Sequence, residues 1–154
     1  MATGGEDPAN GQERSTAFNF SETPTLEDLR ASMNQFATER DWNQYHTPRN
    51  LLLAMVGEVG ELSEIFQWRG EVAPGLPDWS QQDRKRLEHE LSDVLLYLVR
   101  LSHVCGVDLP AAASRKMAHN ARKYPADRVR GDSRKYDEYH EFRQRETPDG
   151  EESS

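Results

Sequence analysis

The chain has 154 residues, room for one domain of ordinary size, and 27 acidic against 19 basic side chains give it a formal net charge of −8. That surplus excludes a nucleic-acid binder that grips mainly by charge. It leaves a small anionic substrate open wherever a bound cation reverses the local sign.

Residues 1–23 are polar and rich in Gly, Ser and Thr, and are expected to form a disordered tail. Phe18 and Phe20 are the groups able to pin its last part onto the domain. Glu6 and Asp7 make the start acidic and no apolar signal segment is present, so a cytosolic or nuclear protein is expected. The ordered domain is read as residues 24–125. Thr23 or Thr25 caps a first helix whose apolar positions Leu26, Leu29, Met33, Phe36 and Ala37 repeat with helical spacing to about Asp41. A polar, aromatic linker from Trp42 to Pro48 follows. Pro48 suits the first turn of a second helix, expected over roughly 49–68. After the breaker-rich loop Gly70 to Asp78, Ser80 caps a third helix that runs to about Cys105 and stops at Gly106. Cys105, the single cysteine, has no partner for an intramolecular disulfide and is expected as a small buried hydrophobe. Asp108 caps a fourth helix that ends near Tyr124, before Pro125. Residues 126–154 are charged and poor in aliphatics, and are expected to be a largely disordered tail. No strand pattern and no membrane-spanning run of ~18 apolar residues occurs, so the fold class is all-α, a four-helix bundle.

Two acid-x-x-acid pairs interrupt the apolar runs of helices two and three: Glu58 with Glu61, and Glu90 with Asp93. At about 100° per residue from Leu51, Glu58 falls near −20°, in the middle of the stripe of Met55, Leu62 and Ile65, and Glu61 falls near −80°, at its edge. Glu90 is equally central among Val94, Tyr97 and Leu101. Solvated acids such as Glu64, Asp83 and Glu88 have no comparable placement, although Glu64 remains open as an outer group or a base. Like charges ~4 Å apart repel by about 4 kcal/mol at an effective dielectric of ~20, so four converging carboxylates require a counter-charge. Oxygen ligands without cysteine or inward histidine suit Mg2+ and disfavour zinc. Gly57 and Gly60, mid-helix beside Glu58, point to close approach by another backbone or a bulky ligand.

With these residues in view, the chain resembles the all-α nucleoside triphosphate pyrophosphohydrolases of the MazG type, whose mark is Glu-x-x-Glu, a spacer, then Glu-x-x-Asp. Here the mark reads Glu58-Val59-Gly60-Glu61 and Glu90-Leu91-Ser92-Asp93. Further similar wording lies in Glu39 to Trp42, Pro48 to Ala54, Gly57 to Trp68, Glu90 to Leu98 and Val107 to Pro110, and is nearest to the branch of that family acting on dCTP. The resemblance implies Mg2+ held by Glu58, Glu61, Glu90 and Asp93. It implies cleavage of dCTP, and of C5-modified dCTP, between the α- and β-phosphates to a monophosphate and pyrophosphate. It implies an intertwined homotetramer, a dimer of dimers with sites at subunit contacts; no nucleic-acid or membrane partner is expected, on the charge and the lack of a long apolar run. Helix two, apolar nearly all round through Leu51, Leu52, Leu53, Val56 and Val59, agrees with such an assembly.

By the same resemblance Trp42, Trp68 and Tyr97 match cytosine-binding aromatics, and Met33 stands where a histidine is expected. Lys116 and Asn120, followed by Arg122 and Lys123, match a triphosphate-binding segment. Glu61 is the first candidate for the base that activates water, with Glu58 beside it in the catalytic group. Three rivals remain at this point. A di-iron bundle expects Glu-x-x-His, which none of the four helices contains. A non-catalytic helical adaptor does not account for inward carboxylates. A hydrolase of the same fold preferring dUTP or other non-canonical triphosphates is separated only by substrate choice.

Overall fold

The computed structural model describes residues 18–131; the remainders of both tails, 1–17 and 132–154, lie outside the described residues. Four helices carry the fold: α1 (Leu26–Glu39), α2 (Pro48–Phe66), α3 (Gln81–Val104) and α4 (Leu109–Lys123). A one-turn α5 (Ala126–Val129) follows, at the start of the expected C-terminal tail. No strand occurs among the described residues, and no single helix there is long and apolar enough to cross a membrane.

Each start has a side-chain reason. Thr25 and Asp28 form a reciprocal capping box at α1, and Thr47 caps α2 ahead of Pro48. Ser80 accepts from the amide of Asp83, and Asp108 from that of Ala111. α1 ends two residues earlier than its apolar spacing suggests. Asp41 takes a left-handed backbone with φ of 52°, and its carbonyl and carboxylate accept from the Gln44 side chain. Gly106, with φ of 66°, closes α3, and the amide of Val107 returns to the carbonyl of Ser102 at 2.9 Å.

α3 is the spine, and both α1 and α2 pack along it. Leu51, Ile65 and Val99 with Ala37 make the buried core. The α2–α3 loop folds back and buries Trp79, whose ring lies 5.1 Å from that of Phe66. The Arg69 guanidinium lies over the Trp79 ring, 4.5 Å from its centroid, and reaches Asp83 at 2.6 Å. Asp83 was expected as a plain surface acid. It is half-buried instead, and hydrogen bonds from Ser80, aided by the Arg69 charge, hold its carboxyl below the usual range.

Two further expectations meet a different outcome. Phe18 and Phe20 pack edge to face on each other, 5.5 Å apart, and stay exposed rather than docking on the helices. Cys105 is exposed, because it caps the end of α3 where the chain turns away from the core. Among the described residues nothing lies within 4 Å of where a Cβ would stand on Gly57 or Gly60, so the space beside them is open. Leu52, Leu53, Val56 and Val59 on α2 and Leu91, Leu95 and Leu98 on α3 are likewise left facing solvent.

Candidate active site

Packing of α2 on α3 brings one acid from the first helix against two from the second. Oxygens of Glu58, Glu90 and Asp93 all lie within 4.8 Å of one another, and the three residues are half-buried. Glu58 feels the crowding: burial first, then the charges of Asp93, Glu61 and Glu90, push its carboxyl above the usual range. Glu61 lies one turn on, exposed and outside the three-residue group. Its carboxylate has no hydrogen-bond or ion-pair partner among the described residues. Glu64 and Glu88 face solvent, as expected for ordinary helix-surface acids.

Asp93 also borders a cavity of about 310 Å³ whose other walls are Met33 and Phe36 of α1, Trp42 and His46 of the α1–α2 loop, and Leu96 and Tyr97 of α3. The rings of Phe36 and Trp42 meet edge to face at 5.7 Å, and the His46 ring lies 6.2 Å beyond Trp42. The Arg40 guanidinium covers the outer face of Phe36, 3.6 Å from its centroid. Burial, then the charges of Glu58 and Asp93, raises the Tyr97 hydroxyl above its ordinary range, so the phenol sits in the field of the acid cluster. One wall is thus apolar and aromatic and one edge is anionic. Such a cavity takes a flat, weakly polar ring, with a cation at the edge offsetting the negative charge of whatever the ring carries.

Of the aromatics marked in the sequence, Trp42 and Tyr97 share this cavity with Met33. Trp68 stands apart, 87% exposed just past the end of α2. Lys116, Asn120 and Arg122 are exposed on α4, and Lys123 is half-buried with its ammonium 5.7 Å from the Tyr124 ring. α4 turns off the α3 axis by 101°, buries none of its residues, and sends no side chain into the aromatic cavity. Phe36 and His46 were not read as site residues. Phe36 lies three residues after Met33 and therefore on its face, a signal that was available. His46 sits in a loop without periodicity, and only the fold reveals it. A second cavity, about 370 Å³, lies farther along α3 between Leu26, Arg30, Val99 and His103. It has no aromatic ring besides His103, and its Arg30 is engaged by Glu27 and His103, so it lacks the pairing of aromatic wall and clustered acids.

A sequence model of the MazG-like family matches residues 54–139, which include both acidic pairs. dCTP pyrophosphatase 1 of Homo sapiens is 56% identical over 136 residues, 88% of this chain and 78% of that protein. The Mus musculus dCTP pyrophosphatase 1 is 53% identical over 135 residues, 86% of this chain and 79% of that protein. Among solved structures, a pyrophosphatase from Archaeoglobus fulgidus superposes with a TM-score of 0.59 at 35% identity, covering 70% of this chain and 99% of that one. A family match over more than half the chain, relatives above half identity and a shared fold converge on one conclusion: the protein belongs to the MazG-like family.

Proposed function

We propose that this protein hydrolyses dCTP, and dCTP modified at C5, to the corresponding monophosphate and pyrophosphate. One observation carries the reading: Asp93 belongs both to the three-carboxylate cluster and to the edge of the aromatic cavity. A base held by Trp42 and Tyr97 would leave its phosphates beside the acids. Stacking of this kind is worth about 1–3 kcal/mol per ring. Met33, Phe36 and Leu96 offer soft apolar surface to a methyl group on the base.

The donor set fits a hard divalent cation, and we assign it to Mg2+. Three carboxylates within 4.8 Å of one another offer only oxygen, and no cysteine or histidine belongs to the group. Glu58, Glu90 and Asp93 would hold it, with Glu61 either completing the set or standing beside it. When bound, the cation supplies polarisation of the phosphate oxygens and offsets the charge that develops there. The reaction is in-line attack of water on the α-phosphorus, forming one P–O bond as the bond to the β-phosphate oxygen breaks, and pyrophosphate leaves. Glu61, exposed and unengaged, takes the proton of the attacking water. Trp42 and Tyr97 orient the base, and the apolar walls exclude bulk water from it.

Assembly belongs to the same proposal. The exposed aliphatic faces of α2 and α3 support packing against further copies as a homotetramer, and α4, carrying Lys116 and Asn120, would then have somewhere to dock. A second reading, a hydrolase of the same chemistry preferring dUTP or other non-canonical triphosphates, is favoured by one feature: Met33, Phe36 and Leu96 carry no group that reads a base edge. Pyrophosphate release across the common ribo- and deoxynucleoside triphosphates, with and without Mg2+, decides between them. A peak at dCTP that vanishes with EDTA and in Asp93→Asn supports the proposal; a peak at dUTP replaces it. Release from no triphosphate would leave only the adaptor reading.

A further inference from the structure

Arg100 is the most buried charged side chain among the described residues, 3% exposed in the middle of α3. Among the described residues no carboxylate bonds it, and its desolvated guanidinium is held below its ordinary range. All three of its bonded donors go to neutral acceptors. Nη1 donates to Asn34 Oδ1 at 3.0 Å, Nη2 to Asn43 Oδ1 at 2.6 Å, and Nε to His46 Nδ1 at 3.1 Å. Asn34 is on α1, and Asn43 and His46 lie in the loop that carries Trp42. Burying a guanidinium without an acid is costly, so the site must be organised around what the fork ties together.

From this geometry we infer that Arg100 is a positioning residue for the base cavity: it clamps the Trp42–His46 loop to α1 and α3 and so sets the aromatic wall before substrate arrives. Two consequences are structural. Accepting from Arg100 leaves Nδ1 of His46 without a proton and puts the ring's proton on Nε2, which has no partner among the described residues. Burial and the Arg100 charge both hold His46 neutral, in keeping with that arrangement. Asn43 Nδ2 also donates to Thr38 Oγ1, and the amide of Trp42 to the carbonyl of Ala37, so the loop is tied at its start by α1 and at its end by Arg100.

The kinetic arm rests on the proposed dCTP hydrolysis; a spectroscopic arm does not. In protein labelled with 5-fluorotryptophan, Trp42, Trp68 and Trp79 give separate 19F resonances. Arg100→Met is expected to shift and broaden the Trp42 resonance alone, in the absence of any nucleotide. In Mg2+-dependent turnover of dCTP the same variant is expected to raise KM about tenfold, ~1.4 kcal/mol of lost binding, with kcat within about twofold. Arg100→Lys keeps the charge but cannot span three acceptors, and is expected to leave KM raised more than about threefold. Asn34→Ala, at a residue that does not line the cavity, removes one tether and is expected to move both readouts in the same direction; it carries the test alone if Arg100→Met does not fold. An unmoved Trp42 resonance in these variants, or a wild-type KM in Arg100→Lys, overturns the inference and leaves Arg100 as core filling. If the wild-type protein hydrolyses no triphosphate, the functional reading fails while the Trp42 resonance still judges the clamp.

Discussion

Glu58→Gln isolates the electrostatics of the acid cluster, because glutamine keeps the shape and removes one charge. Oxygens of Glu58, Glu90 and Asp93 come within 4.8 Å of one another. At that distance two unit charges repel by about 0.9 kcal/mol in bulk water and about 3.5 kcal/mol at an effective dielectric of ~20. The residues are half-buried, so the lower figure is the safer one, and removing two pairs relieves about 2 kcal/mol. For a chain of this length that corresponds to a rise in Tm of roughly 4–8 °C. The sign depends on pH. The Glu58 carboxyl is raised in the folded state by burial and by Asp93, Glu61 and Glu90, so the folded protein holds that proton more tightly than the unfolded one. The penalty is therefore fully present above the folded value and disappears below the unfolded value of about 4.3. In EDTA, Glu58→Gln should melt several degrees above wild type at pH 7.5 and level with it at about pH 4, with the gap shrinking in high salt. Mg2+ should reverse the order, since a ligand at a hundred times its Kd stabilises the wild type by about 2.7 kcal/mol and the variant has lost a ligand atom. Thermal unfolding followed by circular dichroism reads all four conditions. A variant that melts at or below wild type in EDTA at pH 7.5 would refute the idea that these carboxylates converge as a strained, uncompensated group.

Other consequences are simpler to state. Asp93→Ala and Glu61→Ala should each lower kcat for pyrophosphate release by at least about a hundredfold with helix content unchanged by circular dichroism. Trp42→Ala should raise KM for dCTP by roughly tenfold or more, since one stacking ring is worth about 1–3 kcal/mol, and isothermal titration of a non-hydrolysable dCTP analogue measures it directly. Leu53→Glu with Val56→Glu should shift the protein to a smaller species in sedimentation velocity, because both side chains are more than half exposed on a face that needs a cover. Gly106→Ala should cost about 1 kcal/mol in urea unfolding, since its φ of 66° is one that a side chain disfavours although space is open around it.

Local chemistry made the helices legible. Thr25, Ser80 and Asp108 cap where the sequence places them, and each acts within three residues of itself. Angular bookkeeping reached further. It put Glu58 in the stripe and Glu61 at its edge, and the fold half-buries the first and exposes the second. What stayed hidden depends on contacts across long stretches of chain. Arg100 meets Asn34, Asn43 and His46 across separations of 66, 57 and 54 residues, and no period or cap announces such a bond. Trp79 sits in a loop full of breakers and is buried because Phe66 and Arg69 close over it. Cys105 went the other way, since an apolar residue at the end of an apolar run is exposed once the chain turns at Gly106.

The single chain divides the residues of the proposed site unevenly. It assembles the acids from α2 and α3 and the aromatic cavity from α1, the α1–α2 loop and α3, yet leaves Lys116, Asn120 and Arg122 exposed on a helix that has no fully buried residue. The exposed aliphatics on α2 and α3 suggest why. Finishing the burial of a half-covered Leu or Val is worth about 1 kcal/mol, so Leu52, Leu53, Val56, Val59, Leu91, Leu95 and Leu98 hold roughly 7 kcal/mol per chain in reserve. Two copies contribute about twice that to a shared interface, within the range of about 4–15 kcal/mol that association costs. These faces are the surfaces on which the proposed tetramer would form, and among the described residues the space beside Gly57 and Gly60 is open to a neighbouring helix. In that arrangement the acids would be set by one chain's fold and the phosphate contacts by assembly. Dilution below the dissociation constant of the proposed tetramer should then weaken triphosphate binding while the Glu58, Glu90 and Asp93 cluster remains intact.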